Sequence, residues 1–214
     1  QCIASSSLAR PPSWPQFKRI VWKVFSHRLA ALAGAMHGGS TNVAFVSGHA
    51  PCEPAPSAEK DAFYSDWMRS TAYIADTFPT HELNFGIDSN ARVGSVTSVC
   101  FGNASAEQDN KNGIIFREHL EAQGLQAINT WHDIGSTWTS SRGLSSRIDY
   151  VGSSSLGKSK AVSCERLDDV DLTMSEWEDH KGVKVVFELQ TKALPTSGAK
   201  RPLVIDITRT SDPW

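Results

Sequence analysis

The chain has 214 residues, 40% of them hydrophobic and 21% charged, with a formal net charge of −2. Those proportions are ordinary for a soluble globular protein and suit one domain of moderate size. The near-neutral total gives no overall basic field for nucleic acid, although a local basic patch can sit inside it.

No apolar run approaches the roughly 18 residues that a membrane-crossing helix needs. No basic segment leads into an apolar core, so no secretory signal is visible. Cys2, Cys52, Cys100 and Cys164 lie far apart without C-x-x-C spacing. This argues against a zinc knot or a disulfide scaffold, and points to reduced thiols in an intracellular protein, cytoplasmic or nuclear.

In chain order, the Ser- and Pro-rich residues 1–18 read as a loose tail. Small apolar stretches at 28–36 and 42–47 flank "HGGS", which predicts two antiparallel strands. After a Pro-rich link, residues 58–78 place Phe63, Trp67, Ile74 and Phe78 on one helical face, with Pro79 at its stop. A strand over 82–87 follows, then a polar stretch to Asn112. A second helix is expected over 113–123, closed by Gly124. Strands are expected at 125–129, 136–139, 147–152 and 183–190. The spacing predicts a layered α+β domain over 19–190, and a linker with one extra strand, "PLVIDI", over 191–214.

Four short stretches place chemically capable residues where an apolar run ends or a loop begins. They are "SGHAP" with His49, "GIDSNARVG" with Asp88 and Asn90, "SSRIDYVG" with Asp149, and "EWEDHKGV" with Asp179 and His180. Asp-Ser-Asn after a strand is also ordinary turn chemistry, and a lone His is usually structural. A carboxylate between Ile148 and Tyr150 is less ordinary, because on a buried sheet face it needs a partner, and His180 is the natural one. An Asp that holds a His in one tautomer prepares a base or a fixed donor. Asp179 offers a hard oxygen ligand to Mg²⁺ or Mn²⁺. Asp88 and Asn90 supply a proton acceptor and an amide donor, the pair that phosphoryl transfer needs.

The ordered pattern HAP, GIDSNARVG, NG-x-x-F, NT, STW, RIDYV and EDH resembles the endonuclease/exonuclease/phosphatase superfamily. The flavour is that of the endonuclease domains of non-LTR retrotransposon polyproteins, and the match spans roughly residues 28–190. The resemblance implies a four-layered α/β sandwich of two packed mixed sheets flanked by helices. It also implies Mg²⁺- or Mn²⁺-dependent phosphodiester hydrolysis, DNA as substrate, and a longer polyprotein that includes a reverse transcriptase. Carried over by residue, His49 would contact the scissile phosphate, Asp88 would orient or activate water, and Asn90 would stabilise the transition state. Asp149 would fix His180, and Asp179 would bind metal. Arg92, Lys111, Trp138, Arg142 and Arg147 are candidates for a basic, aromatic rim that meets nucleic acid.

The sequence also departs from that family. Ser89 stands where Phe is usual, which predicts a loop held less firmly from below. Glu178 stands where Ser usually precedes the Asp-His pair. The family's opening strands carry an Asn and a metal-binding Glu, whereas Glu53 is the first acidic residue here. A domain incomplete at its N-terminus is therefore expected, with metal binding weakened or taken over by a residue such as Glu178. Two alternatives stand beside a working nuclease: a phosphatase or phospholipase of the same superfamily, and an inactive remnant.

Overall fold

The computed structural model describes residues 17–36, 42–154, 160–170 and 180–188, with side chains from residue 20 onward. Its centre is a six-stranded mixed sheet in the order β1-β2-β3-β4-β8-β5. The strands are β1 (Phe17–Ser26), β2 (Leu29–Met36), β3 (Asn42–His49), β4 (His81–Asp88), β5 (Leu125–Ala127) and β8 (Asp149–Ser154). β1, β2 and β3 form an antiparallel meander, β4 runs parallel to β3, and β8 lies antiparallel between β4 and β5.

The expected pair of antiparallel strands is β2 and β3, and their "HGGS" turn lies outside the described residues. β1 was not expected, and it begins within the stretch read as tail. Its β-branched and aromatic residues suit a strand, but both of its faces carry apolar side chains, so no alternation announces it. β5 ends two residues early because Ile128–Thr130 wind into a single 3₁₀ turn. The anticipated strand at 202–207 also falls outside the described residues.

Two helices cover one face of this sheet. The first, α1 (Ser57–Thr77), buries Phe63, Tyr64, Trp67 and Ile74 at helical spacing, and Trp67 meets Phe85 of β4 edge-on with ring centroids 5.5 Å apart. The second, α2 (Lys111–Gln123), starts at Asn110, whose side chain accepts the Gly113 N–H at 2.8 Å. It stops at Gly124, which adopts the left-handed conformation at φ 62°. Phe116 and Leu120 are buried, and Phe116 packs against Phe101 and Tyr150. Gly152 is required by this packing, since a Cβ there would overlap the Phe85 ring.

Among the described residues, the opposite face is only partly covered. β9 (Ala161–Leu167) and β10 (Gly182–Phe187) form an antiparallel ribbon. Lys160, just before β9, pairs with the buried carboxylate of Glu82, which projects away from the helices. The ribbon therefore lies over the β4–β8 side of the sheet, and Ile20, Trp22, Val24, Leu32 and Phe45 of β1–β3 remain exposed. A short hairpin of β6 (Trp138–Thr139) and β7 (Ser145–Ser146) stands beside β8. Among the described residues no helix is long and apolar enough to cross a membrane. Helices, central sheet and a second, smaller sheet make this an α+β layered protein.

Candidate active site

Three strand ends meet in one row. β3 and β4 run parallel with His49 opposite Asp88, and β4 and β8 run antiparallel with Asp88 opposite Asp149. Residues paired in register project to the same face, so all three side chains leave the sheet together on the side away from the helices. The apolar alternation Leu83, Phe85, Ile87 that buries the other face fixes which residues these are. A slip of one residue would turn the carboxylates into the helix-packed core.

His180 reaches the row from above. A backbone bridge to Trp138 holds it just before β10. Its Nδ1 lies 3.0 Å from Asp149 Oδ2 and its Nε2 lies 4.0 Å from Asp88 Oδ2. His49 Nε2 is 3.4 Å from that same Asp88 oxygen. With 63% of its side chain exposed, His49 stands at the mouth, while the two aspartates and His180 lie deeper.

Burial and then the neighbouring Asp149 charge push the Asp88 carboxyl above its ordinary value. The Asn90 backbone N–H, His180 and His49 oppose that rise. Two carboxylates this close attract a cation, and one ligand atom each from Asp88, Asp149 and His180 lies within 4.8 Å of the others. Two carboxylate oxygens and an imidazole suit Mn²⁺, and the oxygens suit Mg²⁺. Asp179 and Glu178 lie outside the described residues.

The loop after β4 is fixed from several sides. Asn90 adopts φ 49°, and its backbone N–H donates to Asp88 Oδ1 at 3.0 Å. The Asp-Ser-Asn turn is therefore real, and it also holds the carboxylate. Asn90 Nδ2 donates to the Ala50 carbonyl at 2.9 Å, which aims the amide across the row toward the His49 loop. Asn112 Nδ2 donates to the carbonyls of Pro51 and Asn90, tying both loops to the start of α2.

Ser89 does not leave the loop slack. It is fully buried, and both its N–H and its hydroxyl donate to the Ile148 carbonyl at 2.9 Å. A hydrogen bond does here what a larger side chain would do by packing.

The expected rim divides. Arg92 and Arg142 are exposed, Arg142 within the 140–144 turn of the β6–β7 hairpin, and Trp138 is half-buried beside His180. Lys111 is exposed at the first turn of α2. Arg147 corrects the expectation. It is 1% exposed, and its guanidinium donates to the Ala104 and Asn129 carbonyls while its backbone N–H meets Glu107. It pins the 95–111 loop to the sheet and cannot meet a ligand at the surface. Its place inside the strand expected over 147–152 was the available signal.

Two buried residues with no assigned role also shape the row. Asn129 donates to the Asp149 carbonyl at 2.9 Å and accepts from the Val151 N–H, and Thr137 lies beneath Asp149. The "NT" and "STW" motifs contain them, but a motif string does not say which member points inward.

No protein-family model and no curated protein matches the chain. Solved structures do. The endonuclease domain of TRAS1, a telomere-specific non-LTR retrotransposon, aligns with a TM-score of 0.58 at 18% identity, over 81% of this chain and 70% of that one. The 3′ phosphatase NExo from Neisseria, solved with a product DNA hairpin, gives a TM-score of 0.55 at 16% identity over 81% and 72%. An AP endonuclease from Archaeoglobus fulgidus gives 0.52 at 14% identity over 82% and 72%. The chain thus has the endonuclease/exonuclease/phosphatase, or DNase-I-like, fold.

Proposed function

We propose that the row formed by His49, Asp88, Asp149 and His180 hydrolyses a phosphodiester with the help of a divalent cation, and that its substrate is DNA. The observation that carries this reading is the register pairing, which brings three separately expected residues onto one face with His180 above them. Asp88 and Asp149 would hold Mg²⁺ or Mn²⁺, together with His180 and with Asp179, the further carboxylate that the sequence suggests. When bound, the cation offsets the paired carboxylates and polarises a phosphate oxygen.

Each residue then has a task. Asp88 orients the attacking water and takes its proton. Asp149 keeps the His180 Nδ1–H directed toward itself, so that Nε2 faces the row. Exposed His49 donates toward a phosphate at the mouth. Asn90 gives one amide hydrogen to Ala50 and offers its second to charge that develops on the phosphate.

DNA is favoured by the exposed Arg92 and Arg142 and by Trp138 beside His180. The fold's similarity to TRAS1, NExo and an AP endonuclease supports it further. We also infer that the domain serves a retroelement polyprotein, on the strength of the ordered motifs and the TRAS1 likeness.

The test is nicking of supercoiled plasmid with Mg²⁺, Mn²⁺ or EDTA, beside an Asp88→Asn variant. The expected result is metal-dependent nicking that falls by at least about 100-fold in the variant, and that weakens steeply with added salt. A folded wild-type protein that nicks under neither metal would overturn the reading.

A further inference from the structure

We propose that Thr137 is the positioning residue that keeps Asp149 and His180 assembled, an inference that rests on the proposed hydrolase only for its activity readout. Asp149 and His180 are 31 residues apart in sequence, Asp149 in β8 and His180 in the segment just before β10. Their 3.0 Å contact therefore needs something that fixes both chains at once. Thr137 is fully buried, and it touches both.

Its hydroxyl oxygen accepts the backbone N–H of Ile148 and of Asp149, each at 3.1 Å. These are the two residues that lead into β8, so the hydroxyl sets where that strand begins and where the Asp149 side chain leaves it. On the other side, the Thr137 carbonyl accepts the N–H of Lys181 at 2.7 Å, and the next residue, Trp138, bridges His180. The Thr137 N–H donates to the Ser146 carbonyl and closes the β6–β7 hairpin that carries the assembly. One residue thus joins the strand that holds the carboxylate to the segment that holds the imidazole. All of these contacts are to backbone and none is with the reacting groups themselves, so its part is to position them.

Loss of the hydroxyl has a specific consequence. Two N–H groups at the start of β8 lose their acceptor, and they recover one only if β8 shifts. A shift moves Asp149 away from His180 and frees the imidazole to exchange tautomers. Outer partners that orient such groups typically account for roughly 10–100-fold in metal affinity or activity.

The experiment uses the full chain with ¹⁵N-labelled histidine and no added metal. Long-range ¹H–¹⁵N spectra, recorded where the imidazole is neutral, report which His180 nitrogen carries the proton. Wild type and Thr137→Ser, which keeps the acceptor, are expected to hold the proton on Nδ1. Thr137→Val, of the same shape but without the acceptor, is expected to show averaged nitrogen shifts, and plasmid nicking reduced roughly 10–100-fold. Should the valine variant fail to fold, Thr137→Cys, a weaker acceptor, replaces it.

A folded valine or cysteine variant with the wild-type His180 spectrum would overturn the proposal, and so would a serine variant that loses the signal. The spectra need no turnover. A Thr137 effect on them without any nicking would sink the hydrolase reading alone, and intact nicking in the valine variant would sink this one alone.

Discussion

The two faces of the central sheet share their strands but not their surroundings. On the helix side, Leu29, Ala31, Ala33, Ala44, Val46, Phe85, Ile87 and Tyr150 form one buried layer beneath α1 and α2. On the other side, the same strands present Ile20, Trp22, Val24, Leu32 and Phe45 to solvent, with Trp22 71% exposed. Among the described residues, that open face is covered from β4 onward, where the β9–β10 ribbon lies. Its polar end holds His49, Asp88 and Asp149. Burial on one side fixes the register, and the register then decides which side chains stand on the other. The covered face is the source of stability, and the half-covered face carries the proposed site.

The largest expected effect tests the covered face. Phe85→Ala removes a ring that packs edge-on against Trp67 and lies over Gly152, and it should cost about 3–5 kcal/mol in urea unfolding. A loss below about 1 kcal/mol would mean that this layer is not the core. The boundary between the faces comes next. Glu82 is nearly fully buried and pairs with Lys160, which anchors the ribbon to the sheet. Lys160→Met leaves that carboxylate unpaired and should cost about 1–3 kcal/mol. An unchanged melting temperature would show that the ribbon does not depend on this pair.

The covered face was largely legible in the sequence because its signals are local and periodic. Phe63, Trp67 and Ile74 recur at helical spacing, Asn110 and Gly124 bracket α2, and Leu83, Phe85 and Ile87 alternate. The candidate site residues could be picked out for a different reason, since His49 and Asp88 each end a strand and Asp149 begins one.

β1 and β9 were not legible. Ile20, Trp22 and Val24 are as apolar as Val21 and Phe25 on the opposite side, so β1 has no period of two, and β9 mixes Ser, Glu and Arg into its seven residues. Ser89 was misread and Thr137 was missed for another reason. Their contribution is a hydrogen bond to backbone 59 or 11 residues away, and no local pattern encodes it.

Asp88 sharpens the comparison from the chemical end. Its carboxyl is raised by burial and by Asp149, so the folded state holds this proton more tightly than the unfolded chain does. Its contribution to stability is fully present below the ordinary carboxylate range and is lost as pH rises through the raised value. Without metal, Asp88→Asn should therefore melt higher than wild type at neutral pH. A gain of roughly 2–4 °C is expected, the shift that about 1 kcal/mol gives at this size. With Mg²⁺ or Mn²⁺ added, wild type should gain stability and the variant should gain less. A variant that melts lower than wild type in EDTA would show that Asp88 is not held against its preference.

The smallest expected effect is the most informative about the open face. Trp22 lies on the edge strand β1, opposite Leu32 of β2, which lies opposite Phe45 of β3. Contiguous apolar side chains of this kind promote association. Trp22→Thr keeps a residue suited to a strand and removes the largest exposed ring. If the face is open in solution, unfolding free energy changes by no more than about 0.5 kcal/mol, and light scattering at high concentration falls. If the substitution instead costs about 3 kcal/mol or more, as a buried Trp would, the face is covered in solution. The contrast between the two sides of the sheet would then be one of partner, with the helices covering one side and further polypeptide the other.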